Sequence, residues 1–260
     1  AIVDGTMAEL FSLQDLVTAD LRRGLMDQET SATPTRTGSA PNVGERKLAA
    51  QPPTSARSDR VVLGRTTDVA LGPIVIDGAP APVAPATMRR DAVGRATVRA
   101  VRLDDPLDVD GTLDESIYDT VPSLEGFVQQ SPNEGAPATE RTEAWVFYDD
   151  GNVYVSGRLW DSVPESEWIA NEMQRDSPQL MNNDYFSLVL DPFYDRRNGL
   201  GFMANALGGF FDGEFSEGGR PNNDWNPIWN VRTGRFDGGW TIEMQIPYKS
   251  IRFRPGASQI

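Results

Sequence analysis

The stretch Gly239–Pro247, "GWTIEMQIP", alternates without a break: Trp240, Ile242, Met244 and Ile246 fall on one side, and Thr241, Glu243 and Gln245 on the other. A helix would scatter these apolar residues around its circumference, whereas a strand gathers them on a single face. The same rhythm returns in "TEAWVFYDDGNVYVSGRLWD". Its first arm sets Trp145 and Phe147 on one face, a turn follows at "DDGN", and the second arm alternates Val153, Val155 and Leu159 with polar residues. "DYFSLVLD", "GLGFMANALG" and "GFFDGEFSE" read as further strands, punctuated by Gly, Asn and Asp. "RATVRAVRL" alternates more loosely through Val98, Ala100 and Leu103. Helical signal is confined to short pieces near "LDESIYDT" and "SEWIANEMQ". Many short strands at this spacing predict an all-β fold, an antiparallel β-sandwich whose inward side is marked by Trp145 and Trp240.

That pattern starts at about residue 96, where composition also changes. Basic and acidic side chains balance over residues 1–95, so the net charge of −14 sits in residues 96–260. Phe11 is the lone aromatic before residue 96, and aromatic rings dominate core burial. Residues 1–29 are expected to hold an amphipathic helix. In "TMAELFSLQDLVTADLRRGLM", residues 6–26, Thr6 and Glu9 fit a capping box, and Leu10, Leu13, Val17, Leu21 and Leu25 mark one apolar side. Residues 30–95 read as a Pro/Ala-rich linker with polyproline character at "APAPVAPAT", which makes the N-terminal segment largely disordered. Residues 96–260 are the folded domain.

Several function classes are excluded or made remote. An acidic domain without Lys/Arg clusters repels phosphate backbones, which argues against nucleic acid. No apolar run is long enough for a membrane-spanning helix in this stretch. Cysteine and histidine are both absent, which removes thiolate chemistry, the commonest general base and the commonest transition-metal ligand. A glycosidase would need two carboxylates roughly 5–9 Å apart. Glu214 with Glu243 is one nameable pair, but acids are too numerous for that to be informative. The expectation is a protein that is not an enzyme. The chain begins at Ala1 without a charged-then-apolar leader, which fits either a removed signal peptide or an internal piece. Ending on a strand-rich stretch at Ile260, the domain is expected to be truncated, with more sequence following.

Two groups of residues are candidates for binding. In "NNDWNPIWN", residues 222–230, Asn226 and Pro227 favour a turn after which Trp229 enters a strand and points inward. Trp225, beside amides and a carboxylate, is the stronger ligand candidate, since glycan recognition combines an aromatic face with oriented polar groups. Acidic and amide residues also gather in "LDPFYDRRNG", "AN" and "FFDGE": Asp191, Asp195, Asn205 and Asp212 are oxygen donors of the kind calcium takes from facing loops. The alternative is that these groups pair with Arg196, Arg197 and turn amides.

Four motifs, "DVDGTLDESIY", "VFYDDGNVYVSGRLWD", "RDSPQLMNNDYFSLVLDPFYDRRNGLGFMAN" and "GGWTIEMQIPYKSIRF", occur in an order that resembles the family 9 carbohydrate-binding module. They look most like the variant at the N-terminus of large outer-membrane β-barrel proteins of unknown function. The resemblance covers residues 96–260. It implies a β-sandwich, structural calcium, and export to the periplasm, cell surface or outer membrane, with a barrel following in the same chain. It further implies a sugar held between two tryptophans. In that register Met181 stands at the position of one clamp tryptophan, Ser187 at a sugar-binding carboxylate and Met203 at an arginine. Asn205 matches the family, and the second tryptophan would lie beyond Ile260. The motifs also read as scaffold: Gly111 permits a tight turn, Asp114 caps a short helix, and Pro247 closes a strand before Phe253 returns to the core. The function expected is a non-catalytic glycan- or polysaccharide-binding module of an exported, cell-envelope protein. The alternative is an interaction domain that packs on the following barrel and binds no sugar.

Overall fold

In the computed structural model, the structure describes residues 10–11, 78–216 and 222–253. The strands are β1 (Leu10–Phe11), β2 (Met88–Arg90), β3 (Ala96–Arg99), β4 (Val101–Arg102), β5 (Thr142–Tyr148), β6 (Asn152–Trp160), β7 (Tyr185–Leu190), β8 (Asn198–Asn205), β9 (Phe210–Ser216), β10 (Asn230–Phe236) and β11 (Gly239–Pro247). One short helix, α1 (Ser116–Thr120), stands among them. The large sheet has the order β10-β11-β6-β5-β4, and β7-β8-β9 form a second sheet. Neighbours pair antiparallel except β4 with β5, which run parallel. The expected β-sandwich is therefore present. Between its two layers lie Val146, Val155, Leu159, Trp240, Ile242 and Met244 from the large sheet, facing Phe186, Leu188, Phe202 and Ala204 from the small one.

Alternation correctly places Trp240 in this core, but Trp145 belongs to the opposite face. Trp145 pairs with Ser156, and Ser156 with Glu243, so these three side chains share one face. Trp240 pairs with Leu159, an odd number of residues along β6 from Ser156, and so points the other way. Both indoles are buried because both faces of the large sheet are covered. Residues 103–121 lie over the outer face, where Leu103, Leu107 and Tyr118 cluster with Trp145, Phe147 and Tyr154. The ring of Tyr118 meets those of Trp145 and Phe147 edge-on at 5.3 and 5.6 Å. Trp145 Nε1 donates to Val121 O at 3.0 Å.

Polar bonds fix this cover in place. Glu243 Oε2 accepts the N–H groups of Gly111 (2.8 Å) and Asp110 (3.0 Å), and Glu243 Oε1 accepts the Tyr118 hydroxyl at 2.8 Å. Thr241 Oγ1 donates to Gly111 O at 2.6 Å. Gly111 sits at φ +92°, as a turn glycine should, and a Cβ there would come within 2.7 Å of the Thr233 backbone. Burial pushes the Glu243 carboxyl up to about 7, against the lowering effect of the Gly111 N–H and Tyr118 O–H bonds.

Several local expectations need correction. Helix α1 begins after Glu115, which makes no side-chain cap; Asp114 is exposed, and Glu115 Oε1 instead accepts the Asp108 N–H at 3.3 Å. The piece expected helical near "SEWIANEMQ" holds a single 3-10 turn, Glu165–Glu167. Phe253 is 40% exposed, and Ile251 packs against the core in its place. Within the stretch expected to be a linker, parts of residues 78–95 join the fold: Ala79 is buried, Thr97 Oγ1 donates to its carbonyl at 2.6 Å, and β2 pairs with β3. Of the expected N-terminal helix, Leu10 and Phe11 are extended and pair with Arg99 and Val98. The rest of that helix, and residues 30–77, lie outside the described residues. Among the described residues no helix is long and apolar enough to cross a membrane.

Candidate ligand-binding cleft

The loop that carries both tryptophans is pinned at its start and along its length. Asn222 and Glu214 exchange backbone hydrogen bonds at 2.8 and 3.2 Å, which ties the loop to the end of β9. Asn222 Oδ1 accepts the Asp224 N–H at 3.2 Å, the local turn that amide side chains favour. Farther on, Pro227 O accepts from Arg175 Nη2 at 3.3 Å and Ile228 O from Ser250 Oγ at 2.6 Å. The loop thereby folds over the inner face of the small sheet. Trp225 and Trp229 both rest edge-on against Phe202, at 5.7 and 5.1 Å, and Trp229 also against Phe210 at 5.2 Å.

The two rings have different fates. Trp229 Nε1 donates to Asp212 Oδ2 at 3.0 Å, and Arg175 Nη2 reaches the same oxygen at 2.7 Å. Asp212 is fully buried, and its Oδ1 has no partner. Burial raises its carboxyl above the usual range despite the opposing effects of Trp229 and Arg175. Trp229 is therefore packing with a polar tether. Trp225 is partly buried, like Trp229, but unlike it lines a cleft of about 670 Å³. Phe193, Leu200, Pro227 and Ile228 extend the apolar lining, while Glu214, Lys249, Ser250 and Arg252 supply polar groups. Tyr248 and Ile251 pack against the core, so Lys249 is presented between two anchors and Arg252 just after the second. An aromatic ring in one cleft with charged and hydroxyl groups suits a ligand with apolar faces and polar edges.

The small sheet itself divides the other residues expected at the site. Ser187 pairs with Met203, and Met203 with Phe211, in a row on the outer face. There Met203 and Phe211 cluster with Leu180, the residue before the exposed Met181. Trp225 and Trp229 pack on the inner face against Phe202. Met181 and Trp225 are therefore not brought together. Asn205 lies in the same outward register as Met203 and is fully buried. Its Nδ2 donates to Glu172 O (2.6 Å) and Asn183 Oδ1 (2.9 Å), and its Oδ1 accepts from Leu207 N (3.1 Å) and Gly209 N (2.9 Å). That amide is a structural bracket with its bonding capacity spent inside the fold. Asn226 is exposed next to Trp225 but does not line the cleft.

The four residues named for a metal are likewise separated. Asp191 accepts backbone N–H groups from Phe193, Asp195 and Arg196 at 3.2, 3.2 and 2.6 Å. Asp195 accepts from Arg197 and Asn198, bonds that hold its carboxyl below the usual range. This loop joins β8 at Asn198, whereas Asn205 ends that strand, roughly 20 Å away at strand rise. Asp212 faces the inner side with Arg175. Among the described residues, no group of three or more His, Cys, Asp or Glu side chains is placed to hold a metal ion. Glu214 and Glu243 are also apart, one in the cleft and the other under residues 103–121.

Lys249, Arg252, Glu214, Phe193 and Ile228 were not singled out as ligand-binding residues from the sequence. Only the juxtaposition of three distant segments makes them neighbours. A weak signal was available in "IPYKSIRF", where apolar and basic residues interleave beyond the last strand.

The class defined by this architecture is a two-layer antiparallel β-sandwich with a loop-lined cleft at one edge of the small sheet. No family model matches the chain, and no curated protein is similar to it. Among solved structures, it is similar to a family 9 carbohydrate-binding module from Caldicellulosiruptor kristjanssonii in complex with cellotriose, at 17% identity and a TM-score of 0.41. That match covers 57% of this chain and 66% of the module. The module of the same organism in complex with glucose matches at 17% identity and a TM-score of 0.40, covering 60% of this chain and 70% of that one.

Proposed function

We propose that the β-sandwich is a non-catalytic glycan-binding module that takes its ligand in the Trp225 cleft. The observation that carries this reading is an indole packed edge-on against Phe202 and left partly open on a cavity that polar groups also line. A pyranose stacks its apolar face on such a ring while its hydroxyls meet the polar wall. The resemblance of the motif order to that of family 9 modules of outer-membrane proteins is what favours an exported, envelope-associated setting, with a barrel in the same full-length protein. Affinity electrophoresis over a panel of soluble glycans tests the reading. At least one glycan should retard the wild type, and Trp225→Ala should weaken that retardation by roughly tenfold or more, the range of a lost aromatic contact. Retention unaffected by Trp225→Ala would place binding elsewhere.

A second reading, an interaction domain that binds no sugar, is favoured by Ile228, which is 73% exposed beside the cleft, and by Phe193 at 41%. Exposed apolar groups grouped in this way are typical of protein contacts. Silence across the glycan panel, with Ile228 protected from solvent in the full-length protein, would favour it.

A further inference from the structure

We infer that the cleft selects a glycan that carries carboxylates, a uronate-containing chain, over a neutral one; this rests on the glycan-binding reading of the same site. The domain is strongly acidic, and its cations are mostly committed. Arg102 pairs with Asp150, Arg141 and Arg158 with Glu143, Arg175 with Asp212, and Arg235 with Glu165. Lys249 and Arg252, like Arg89, are exceptions: all three are exposed, and none has an ion pair or hydrogen bond among the described residues, but only Lys249 and Arg252 line the cleft. They occur together, in the lining of one cleft.

Their position is built. Tyr248 N donates to Gly151 O at 2.9 Å, Ser250 Oγ donates to Ile228 O at 2.6 Å, and Tyr248 and Ile251 pack into the core. Lys249 lies between these anchors and Arg252 directly follows the second, and both cationic side chains line the same space as Trp225. Two cations near an aromatic face match a sugar ring bearing an anionic substituent, since a carboxylate forms charge-assisted bonds with guanidinium and ammonium groups. A neutral sugar would leave both charges unmatched. Glu214, on the β9 side, holds Asn222 Nδ2 at 3.4 Å and repels a carboxylate there. The anionic edge is thereby directed away from Glu214 and toward Lys249 and Arg252, and hydroxyls fall toward Glu214.

The test compares oligogalacturonate with the same oligomer after methyl esterification, and with cello-oligosaccharide, by titration calorimetry at fixed ionic strength. The wild type, Trp225→Ala and the double variant Lys249→Ala/Arg252→Ala are each used. Both substituted cations are exposed, so the double variant should keep its far-UV spectrum and melting temperature. The expected result is binding of the acid, binding of the ester at least roughly tenfold weaker, and loss of that preference in the double variant. Equal binding of acid and ester, lost in Trp225→Ala, overturns this inference and leaves the glycan-binding reading standing. Binding of cello-oligosaccharide alone does the same. No binding of any of the three overturns the inference. If inorganic polyphosphate displaces the oligogalacturonate as readily as unlabelled acid does, the site is a general anion patch, and the inference also fails.

Discussion

Replacing Glu243 by glutamine should change how stability depends on pH, and the structure sets the size of the change. The carboxylate is buried between the large sheet and residues 103–121, and its ionisation is pushed from 4.5 up to about 7, chiefly by burial. Because the folded value lies above the unfolded one, the folded state keeps a proton over that interval that the unfolded chain has lost. Stability therefore falls as pH rises from about 4.5 to 7, and the full penalty persists above that. At about 1.4 kcal/mol per pH unit the drop amounts to roughly 3 kcal/mol. Glutamine retains an acceptor for the Gly111 N–H and offers a donor to the Tyr118 hydroxyl oxygen, whose own proton can turn to Ser156, while never ionising. Urea unfolding followed by tryptophan fluorescence, at steps from pH 4.5 to 8, measures both proteins. Taking the difference cancels other acids that titrate over the same range. Glu243→Gln should gain on the wild type progressively, by roughly 3 kcal/mol between the two ends. A difference that stays flat across the range would refute the account of this buried carboxylate.

Other perturbations probe the remaining parts of the argument. Trp229→Phe keeps the ring contacts but removes a bond to the buried Asp212, and should cost about 1–3 kcal/mol in urea unfolding without weakening glycan retention. Asn205→Ala strands the N–H groups of Leu207 and Gly209, and should lower stability by roughly 2–4 kcal/mol in the same assay. Gly234→Ala would drive a methyl group into the Gly111 carbonyl, and should release residues 103–121, seen as faster hydrogen exchange at the Tyr118 amide. Melting with calcium and with chelator should give the same midpoint, since Asp191 and Asp195 already accept backbone N–H groups; a calcium-dependent rise would reveal a site the described carboxylates do not form.

Most strands were legible because their signal is local. The hairpin of β5 and β6 follows from "DDGN" between two apolar runs, and β11 from an alternation nine residues long. The turn at Gly111 was legible for the same reason, since a positive φ is a demand on a single residue. The face taken by Trp145 was not. A strand buried on both sides hides its polarity, and the cover over its outer face comes from residues 103–121, a segment with little periodicity of its own. The short pieces near residue 166 gave a weak helical signal that tertiary packing overrode, leaving one 3-10 turn.

At the site, the sequence singled out Trp225, which the structure places in the lining of the cleft, but grouped it with residues it never meets. Met181 and Asn205 were assigned by motif position, and the small sheet puts them on the far side from Trp225. Which wall faces the indole depends on where β9, the loop after Asn222 and the turn after Pro247 converge. By itself, then, the sequence determined the strands, the acidic and aromatic character of the folded part, and the absence of thiol and imidazole chemistry, because each of these is carried by neighbouring residues or by composition. The tertiary structure alone decided which face of each strand is covered and which charges share a cleft with Trp225, because those depend on contacts between residues that lie far apart along the chain.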